Sequence, residues 1–390
     1  MRDVVIVEAV RSPIGRRNGG LSTMHAVDLL STVQEELIRR SSIDPTEVGQ
    51  VIGGCVTQVG MQAGNVTRGS WLTAGLPLET PATTIDAQCG SSQQATNLAT
   101  SLVSSGVVDV AVGCGVEMMS RLPLGANHPR ELSFFTSRTR AYPYEATSQF
   151  EGAERIADKW GISREDTDAF GLLSQQRAAR AWAEGRFDTQ VRPIDATDLD
   201  EEGKPTGTTH QVSRDEGLRE TNLEALAKLK PVARPDGRHT AGSSSQISDG
   251  AGAVLVMTAE KADELGVKPI AQVVDTCLVG SDPTLMLTGP IPATEKLLAR
   301  NNVTIDDIDV IEINEAFASV VLAWQKEFDP DPERVNPNGG AIALGHPVGG
   351  TGAILLTKAV HELQRTGGEL ALVTMCCGGG LGTGTLLRRL

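Results

Sequence analysis

Aromatic residues make up only 3% of this 390-residue chain, too few to build the stacking surfaces on which single-stranded nucleic acids rest. Positive charge is also scarce. The 35 Lys and Arg face 49 Asp and Glu, a formal charge of −14, which gives no electrostatic reason to bind nucleic acid or an anionic membrane surface. No apolar run approaches the roughly 18 residues that a bilayer-spanning helix needs. The opening Met1–Val10 has too short an apolar stretch for a secretory signal and lacks a small-residue cleavage site, so it reads as a buried first strand. The six cysteines are scattered without the spacing of a disulfide scaffold, which fits a reduced, cytoplasmic protein. What remains is a soluble enzyme or binding protein of two or three domains.

Glycine is the surplus, with 42 residues gathered in short clusters where backbone must approach something closely or take positive φ. Between the clusters, short β-branched runs alternate with longer amphipathic ones. Strands are expected at Val4–Val7, Val51–Ile52, Val107–Val112, Val254–Met257, Gln272–Val274, Val310–Ile313 and Leu370–Thr374. Helices are expected at Ala26–Arg40, Ser91–Ser104, Glu315–Glu327 and Thr351–Arg365. That alternation predicts an α/β fold with sheets covered on both faces. From about Met119 to Ser245 the rhythm lapses, apart from a helix near Arg164–Glu184 with Ser163 and Asp166 as a capping pair. Such a stretch is either an insertion carrying binding or assembly contacts or a plain surface excursion.

The two ends of the chain repeat one design. Asp86–Ala95 turns into a helix whose following strand ends at Val112–Glu117; Gly345–Gly352 opens another whose strand ends at Thr374–Gly380. Strand ends and helix N-termini are where open α/β sheets place their sites. Cys89 lies at the first turn, with Ser91 and Ser92 near the helix cap, where the helix N-terminus is expected to lower a thiol pKa. The alternative is a small buried hydrophobe. His346 lies at the second turn among glycines that leave room for a substrate, unless it is a structural histidine. The Gly-x-x-x-x-Gly-Lys-Ser/Thr phosphate cradle is absent. Cys376 and Cys377 end the last strong strand, where neighbouring side chains point to opposite faces. That placement, without a Cys-x-x-Cys pair, argues against a metal and for an acid/base thiol beside backbone N–H groups. Asn314 follows Val310–Ile313 and is either a helix cap or an amide holding a water or substrate oxygen. Two cysteines, a histidine and an asparagine at such junctions match acyl transfer through a thioester.

With these residues in order, the sequence resembles the thiolases over essentially its whole length. The motifs are Cys89-Gly-Ser, Asn314-Glu-Ala-Phe, Gly345-His-Pro and Cys376-x-Gly-Gly-Gly, supported by Arg11-Ser-Pro-Ile-Gly15 and Thr240–Gly250. Gln88–Ala95 and Ser244–Asp249 resemble actinobacterial members linked to steroid side-chain β-oxidation. The resemblance implies a duplicated fold with a layered αβαβα core. Residues 1–118 and 246–266 would form the N-terminal half, 119–245 a loop insertion and 267–390 the C-terminal half. It implies CoA-dependent cleavage of 3-ketoacyl-CoA to acetyl-CoA or propionyl-CoA and a shortened acyl-CoA. Rival readings are a biosynthetic acetoacetyl-CoA-forming enzyme, a non-catalytic acyl-CoA or lipid-binding protein, and a cysteine hydrolase. CoA would be a co-substrate, with no bound cofactor and no metal, and the chain a homo-oligomer, dimer or tetramer.

By the same resemblance Cys89 is the nucleophile, His346 draws off its proton and Cys376 is the acid/base thiol. One oxyanion hole joins His346 to a water held by Asn314; the other uses the backbone N–H groups of Cys89 and Gly378. Arg219, Ser245, Gln149, Phe150 and Phe317 fall at substrate- or CoA-contacting positions. Arg121, Arg130, Arg138, Arg140, Lys228 and Lys230 lie in the insertion and offer phosphate contacts, unless they are solvated surface charges. Three departures bear on acyl specificity. Ser92 replaces a glycine and would either crowd an acyl chain or alter a backbone approach, Gln149-Phe150 replaces a His-Met pair, and Ser243 and Ser248 replace asparagines.

Overall fold

A computed structural model of the chain describes residues 2–127, 145, 147–200, 202 and 204–390. The first strand, β1 (Val4–Arg11), shows how the layers arise. Val5 and Val7 enter one hydrophobic core while Val4 and Ile6 enter another, as period-2 alternation requires. A register shift between Ile6 and Glu8 then reverses the phase, so that Val10 joins the first core and Ala9 the second. The strand is buried on both faces.

The N-terminal half continues through β2 (Gly15–Arg16), α1 (Ala26–Ser41), β3 (Gln50–Gly54), α2 (Val66–Thr73), β4 (Ala82–Ile85), α3 (Ser91–Ser105) and β5 (Val110–Met118). After the middle segment come β8 (Ser248–Thr258) and α7 (Ala259–Leu265). The C-terminal half holds β9 (Ala271–Gly280), α8 (Pro290–Asn301), β10 (Val310–Ile313), α9 (Ala318–Phe328), α10 (Thr351–Thr366), β11 (Leu370–Cys377) and β12 (Leu381–Arg389). The strands run β10-β11-β12-β9-β1-β8-β5-β3-β4, with β2 beside β8. The two halves of that order repeat. β3 is parallel to β5, and β5 is antiparallel to β8, which is antiparallel to β1. Likewise β10 is parallel to β11, and β11 is antiparallel to β12, which is antiparallel to β9.

Three cores bind the layers together, two under the outer helices and one around the central pair. Helices α1 and α2 cover the outer face of the first half through Leu29, Val33, Leu37 and Trp71. Helices α8 and α9 cover the outer face of the second through Ala293, Leu297, Val321 and Trp324. Between them α3 and α10 lie side by side and touch strands of both halves. Ala95, Ala99, Leu356 and Val360 of these helices are fully buried. This is the layered α/β arrangement read from the sequence.

The middle segment holds α4 (Gln149–Trp160), α5 (Arg164–Ala183), a hairpin of β6 (Ile194–Leu199) with β7 (Pro205–Val212), and α6 (Leu223–Ala227). The expected Ser163–Asp166 capping box starts α5. A buried knot ties the segment to the core: Asp215 accepts both terminal nitrogens of Arg11, at 2.8 and 3.0 Å, and the backbone N–H of Ile14 at 2.8 Å. The helix expected from Glu315 begins only at Ala318, with Phe317 as its N-cap.

Candidate active site

The turn into α3 is tight because of residues 88–91. Gln88 takes φ 53°, the N–H of Ser91 donates to the Gln88 carbonyl at 3.0 Å, and the Ser91 hydroxyl donates to the same oxygen at 2.6 Å. A Cβ on Gly90 would lie 2.6 Å from the Cys377 sulfur, so only glycine lets the turn rest on the end of β11. Of the six cysteines, Cys89 alone is not fully buried. Its thiol faces the backbone N–H groups of Gly378 and of Cys89 itself. Those dipoles favour the thiolate, yet burial outweighs them and pushes the Cys89 pKa up to about 11. The thiol therefore rests protonated, against the lowering expected from the helix N-terminus. Neither serine caps α3. Ser91 closes the preceding turn, and the fully buried Ser92 accepts the Ala353 N–H at 2.9 Å in the first turn of α10. Ser92 thus joins the two central helices.

His346 is held by the turn into α10. Its backbone N–H donates to Ser248 Oγ at 3.0 Å, so the serine found in place of asparagine fixes the loop. Its Nδ1 lies 2.7 Å from Thr351 Oγ1, and that hydroxyl spends its single proton on the Pro347 carbonyl at 2.8 Å. Nδ1 must therefore carry the imidazole proton, leaving Nε2 as a lone pair. Burial holds the His346 pKa down at about 4, so the ring is a neutral base with its acceptor atom facing Asn314 Nδ2 at 3.4 Å.

Asn314 is not a helix cap. It follows β10, its N–H donates to the Thr374 carbonyl at 3.1 Å, and its side chain reaches the Cys376 sulfur as well as His346. Its Oδ1 is buried with no partner among the described residues, which is room for a bound water or substrate oxygen. Cys376 and Cys377 do face opposite ways. Cys377 joins the central core, while Cys376 packs with Ala316, Phe317 and Leu287. Burial, with the neighbouring Cys89 and Cys377 thiols, keeps Cys376 protonated well above the ordinary thiol range. A network of Cys89, Gly378, Cys376, Asn314 and His346 is thus joined through hydrogen bonds and near neighbours.

The residues expected to contact substrate are less tightly gathered. The Phe317 ring meets Phe150 edge-on at 5.5 Å, and Phe150 remains exposed on the first turn of α4, beside Gln149. Ser245 donates its N–H to the Ala316 carbonyl at 2.9 Å, which sets it next to Phe317. Arg219 donates to the Ala241 carbonyl at 3.1 Å and forms no ion pair among the described residues. Lys228 is already paired with Glu224 at 2.6 Å. Arg121 and Lys230 are exposed. Arg130, Arg138 and Arg140 lie outside the described residues.

Comparison with known proteins settles the family. Residues 4–260 match the thiolase N-terminal domain and residues 267–389 the thiolase C-terminal domain. A steroid 3-ketoacyl-CoA thiolase of Mycobacterium tuberculosis is 44% identical, covering 100% of this chain and 95% of the relative. A 3-ketoacyl-CoA thiolase of Aliivibrio fischeri is 41% identical, covering all of both. The crystal structure of the Bacillus anthracis acetyl-CoA acetyltransferase superposes with a TM-score of 0.91 at 37% identity, covering 100% of this chain and 99% of that one. The chain belongs to the thiolase family. It is an acyltransferase.

Sequence reasoning passed over several residues of this thiolase-family site. Thr351 sets the tautomer of His346 but reads as an ordinary first helical residue; the signal was its place on the helix turn after the histidine. Val56, Met119 and Val348 form a small apolar cluster against which Cys89 packs, drawn from three distant segments. Glu315, inside the quoted Asn-Glu-Ala-Phe motif, is buried and accepts from Ser174, Asn336 and the Ile342 N–H at 2.6, 2.9 and 3.2 Å. It fastens the loop before His346 to α5. No helix among the described residues is long and apolar enough to cross a membrane.

Proposed function

We propose that this chain catalyses thiolytic cleavage of 3-ketoacyl-CoA by a two-thiol mechanism. The observation that carries the reading is the grouping of two protonated thiols, Cys89 and Cys376, around the Asn314 amide and a neutral His346. A hydrolase needs one nucleophile and one base. A second thiol is called for only when a carbanion must also receive a proton.

In the forward direction Cys89 Sγ bonds to the 3-keto carbon as its proton passes to His346 Nε2. The Cα–Cβ bond then breaks, its electron pair leaving as the enolate of acetyl-CoA, or of propionyl-CoA from a 2-methyl substrate. Cys376 Sγ–H protonates that carbon. Free CoA, giving its thiol proton to the Cys376 thiolate, then displaces the shortened acyl group from Cys89, whose sulfur recovers the proton held on His346 Nε2. The first oxyanion is served by the N–H groups of Cys89 and Gly378. The enolate oxygen is served by His346 with a water on Asn314 Oδ1, an atom otherwise left unpaired. Protonated resting thiols suit this order, because charge forms only as substrate arrives.

Residues 119–245, as the loop insertion, would carry most CoA contacts. Arg219 and Ser245 would meet the nucleotide and pantetheine, with Gln149, Phe150 and Phe317 along the thioester arm. CoA is then a co-substrate and no resident cofactor is needed. A steroid-derived or fatty acyl group in β-oxidation fits the names of its relatives. The short edge strand β4 pairs only with β3 among the described residues, and nearby Leu72 and Leu78 are 45% and 70% exposed. Both support a homo-oligomer, a dimer or a homotetramer. Thiols that must stay reduced support a cytoplasmic setting.

The test is cleavage of a 3-ketoacyl-CoA panel, from acetoacetyl to bulky branched chains, by wild type and Cys89→Ala. Cleavage that requires free CoA and vanishes in Cys89→Ala supports the proposal. Preference for acetoacetyl-CoA over every longer chain would favour the biosynthetic role. Loss of the acyl group to water without CoA would point to a hydrolase, and binding without turnover to a carrier.

A further inference from the structure

We infer that Glu117 is a positioning residue for the reaction, a carboxylate that fixes the His346 turn of one half against the Cys89 wall of the other. The inference rests on the thiolytic reading above.

Glu117 lies near the end of β5 and is fully buried. Its Oε1 accepts from the Thr57 N–H at 3.0 Å and from Gln62 Nε2 at 2.7 Å. Its Oε2 accepts from the Val56 N–H at 2.9 Å and from the Gly349 N–H at 3.0 Å. Four N–H donors converge on it, with the Thr57 hydroxyl alongside, and they favour the carboxylate against the burial that raises its pKa. The bridging atom is Oε2. It holds together Val56, from the first half, and the residue after Val348, from the second. Val56 and Val348 are two of the three side chains that pack against Cys89.

The same contact bears on the base. Gly349 lies within the turn in which the Pro347 carbonyl receives the N–H groups of Gly350 and Thr351, at 2.8 and 2.9 Å, and the Thr351 hydroxyl. That hydroxyl orients His346. Fixing the Gly349 N–H therefore fixes the frame in which the imidazole is held. No side chain fits at position 349, since a Cβ there would meet Glu117 Oε2 at 2.5 Å and the Cys55 Cα at 2.8 Å. Glu117 touches no reacting atom in this arrangement. It acts through the turn.

The experiment compares wild type, Glu117→Gln, Glu117→Asp and Gln62→Ala, with kcat normalised to the Cys89 titrated by iodoacetamide. Glu117→Gln keeps the length but turns one oxygen into a donor facing donors. It should lower kcat at least about tenfold, as loss of a charge-assisted hydrogen bond implies, with KM for acyl-CoA within about twofold because the CoA contacts lie elsewhere. Glu117→Asp retains the charge on a shorter stem and should fall between. Gln62→Ala removes a donor from Oε1, together with the Gln62 contacts to the Thr57 carbonyl and the Met118 N–H, but leaves both donors of the bridging Oε2 in place, so it should lower Tm while leaving kcat within about threefold. Wild-type kcat in Glu117→Gln, or in Glu117→Asp should the amide variant not fold, overturns the inference. So does an equal kcat loss in Gln62→Ala, which would mark general destabilisation. A wild type that cleaves no 3-ketoacyl-CoA instead overturns the functional reading beneath it.

Discussion

Replacing Thr351 by valine tests whether the histidine tautomer, rather than the mere presence of His346, makes the site work. The side chain is nearly isosteric, so the change deletes an oxygen and little else. The wild-type hydroxyl accepts Nδ1–H at 2.7 Å while donating to the Pro347 carbonyl. Valine leaves a buried ring with two choices. It can keep Nδ1–H with no acceptor, which costs about 1–3 kcal/mol. Alternatively, it can move the proton to Nε2, where Asn314 can turn its amide over and offer Oδ1. The second choice leaves no N–H unsatisfied, only the Nδ1 lone pair, but blocks the proton acceptance from Cys89 that the proposed mechanism requires. If the lost bond is worth about 1–1.5 kcal/mol, the competent tautomer falls about five- to tenfold in population, and kcat with it. KM should hardly move, since no CoA contact changes. Thr351→Ser restores the oxygen and should return within about twofold of wild type, allowing for one lost methyl group. Steady-state thiolysis of acetoacetyl-CoA and of one longer substrate, with Tm measured alongside, decides the matter. A Thr351→Val enzyme with wild-type kcat, or a Thr351→Ser enzyme no better than valine, would refute the tautomer argument.

Two further outcomes follow from burial. The Cys89 thiol, pushed up to about 11, should react with iodoacetamide at a rate that keeps rising from pH 7 to 10, because the thiolate fraction grows tenfold per pH unit below the pKa; a plateau below pH 8 would show that the resting thiol is already ionised. Lys358 donates to Glu312 Oε2 at 2.7 Å in the core, and burial raises the Glu312 pKa to about 7 even with that partner. Lys358→Met should therefore destabilise by about 3–5 kcal/mol, and Lys358→Met combined with Glu312→Leu should recover most of it. Urea unfolding checks both variants, and a double mutant as unstable as the single would contradict the account.

How much of this was readable beforehand depended on how local the cause was. The strand Val310–Ile313 was found whole, and α1, α3 and α10 end within a residue of expectation, because their apolar periods need no distant partner to be seen. β12 was missed: Gly382 and Gly384 weaken its pattern, and they are there for packing. A Cβ on Gly382 would lie 2.4 Å from the Gly289 carbonyl at the start of α8. The β6–β7 hairpin was missed because β7 is mostly exposed, leaving no buried face to impose alternation. Asn314 kept two readings until the structure showed α9 starting three residues beyond Glu315. Cys89 and His346 stood out on glycine-rich turns. Their supports did not, since Glu117 and Gly349 are 232 positions apart and a single sequence carries no trace of that contact. The lowered Cys89 pKa failed for a related reason: the helix terminus is visible in sequence, but the depth of burial that outweighs it is not.

The internal repeat explains why those supports cross between halves. The spacing from Ser91, which starts α3, to Val110, which starts β5, is the same as that from Thr351 to Leu370 in α10 and β11. Cys89 then corresponds to Gly349, and Glu117 to Cys377. Each helix-entry turn rests on the other half's strand end. The Cys89–Gly90 turn lies on Cys377 and Gly378, and the Gly349–Gly350 turn lies on Glu117 and near the Gly115 carbonyl. With both central helices packed against strands of both halves, this swapped arrangement buries each turn against the opposite half. Chemistry has diverged on this shared frame. The first turn presents the thiol proposed as nucleophile, with the Gly378 N–H of the second half facing it. The second presents the imidazole proposed as base, with Glu117 of the first half holding the Gly349 N–H of its turn. A site built this way exists only where the halves meet, so its precision depends on the inter-half contacts more than on either turn alone. That dependence is why the conservative change at Glu117, rather than at a residue touching substrate, is the sharper probe of how the two halves came to act as one enzyme.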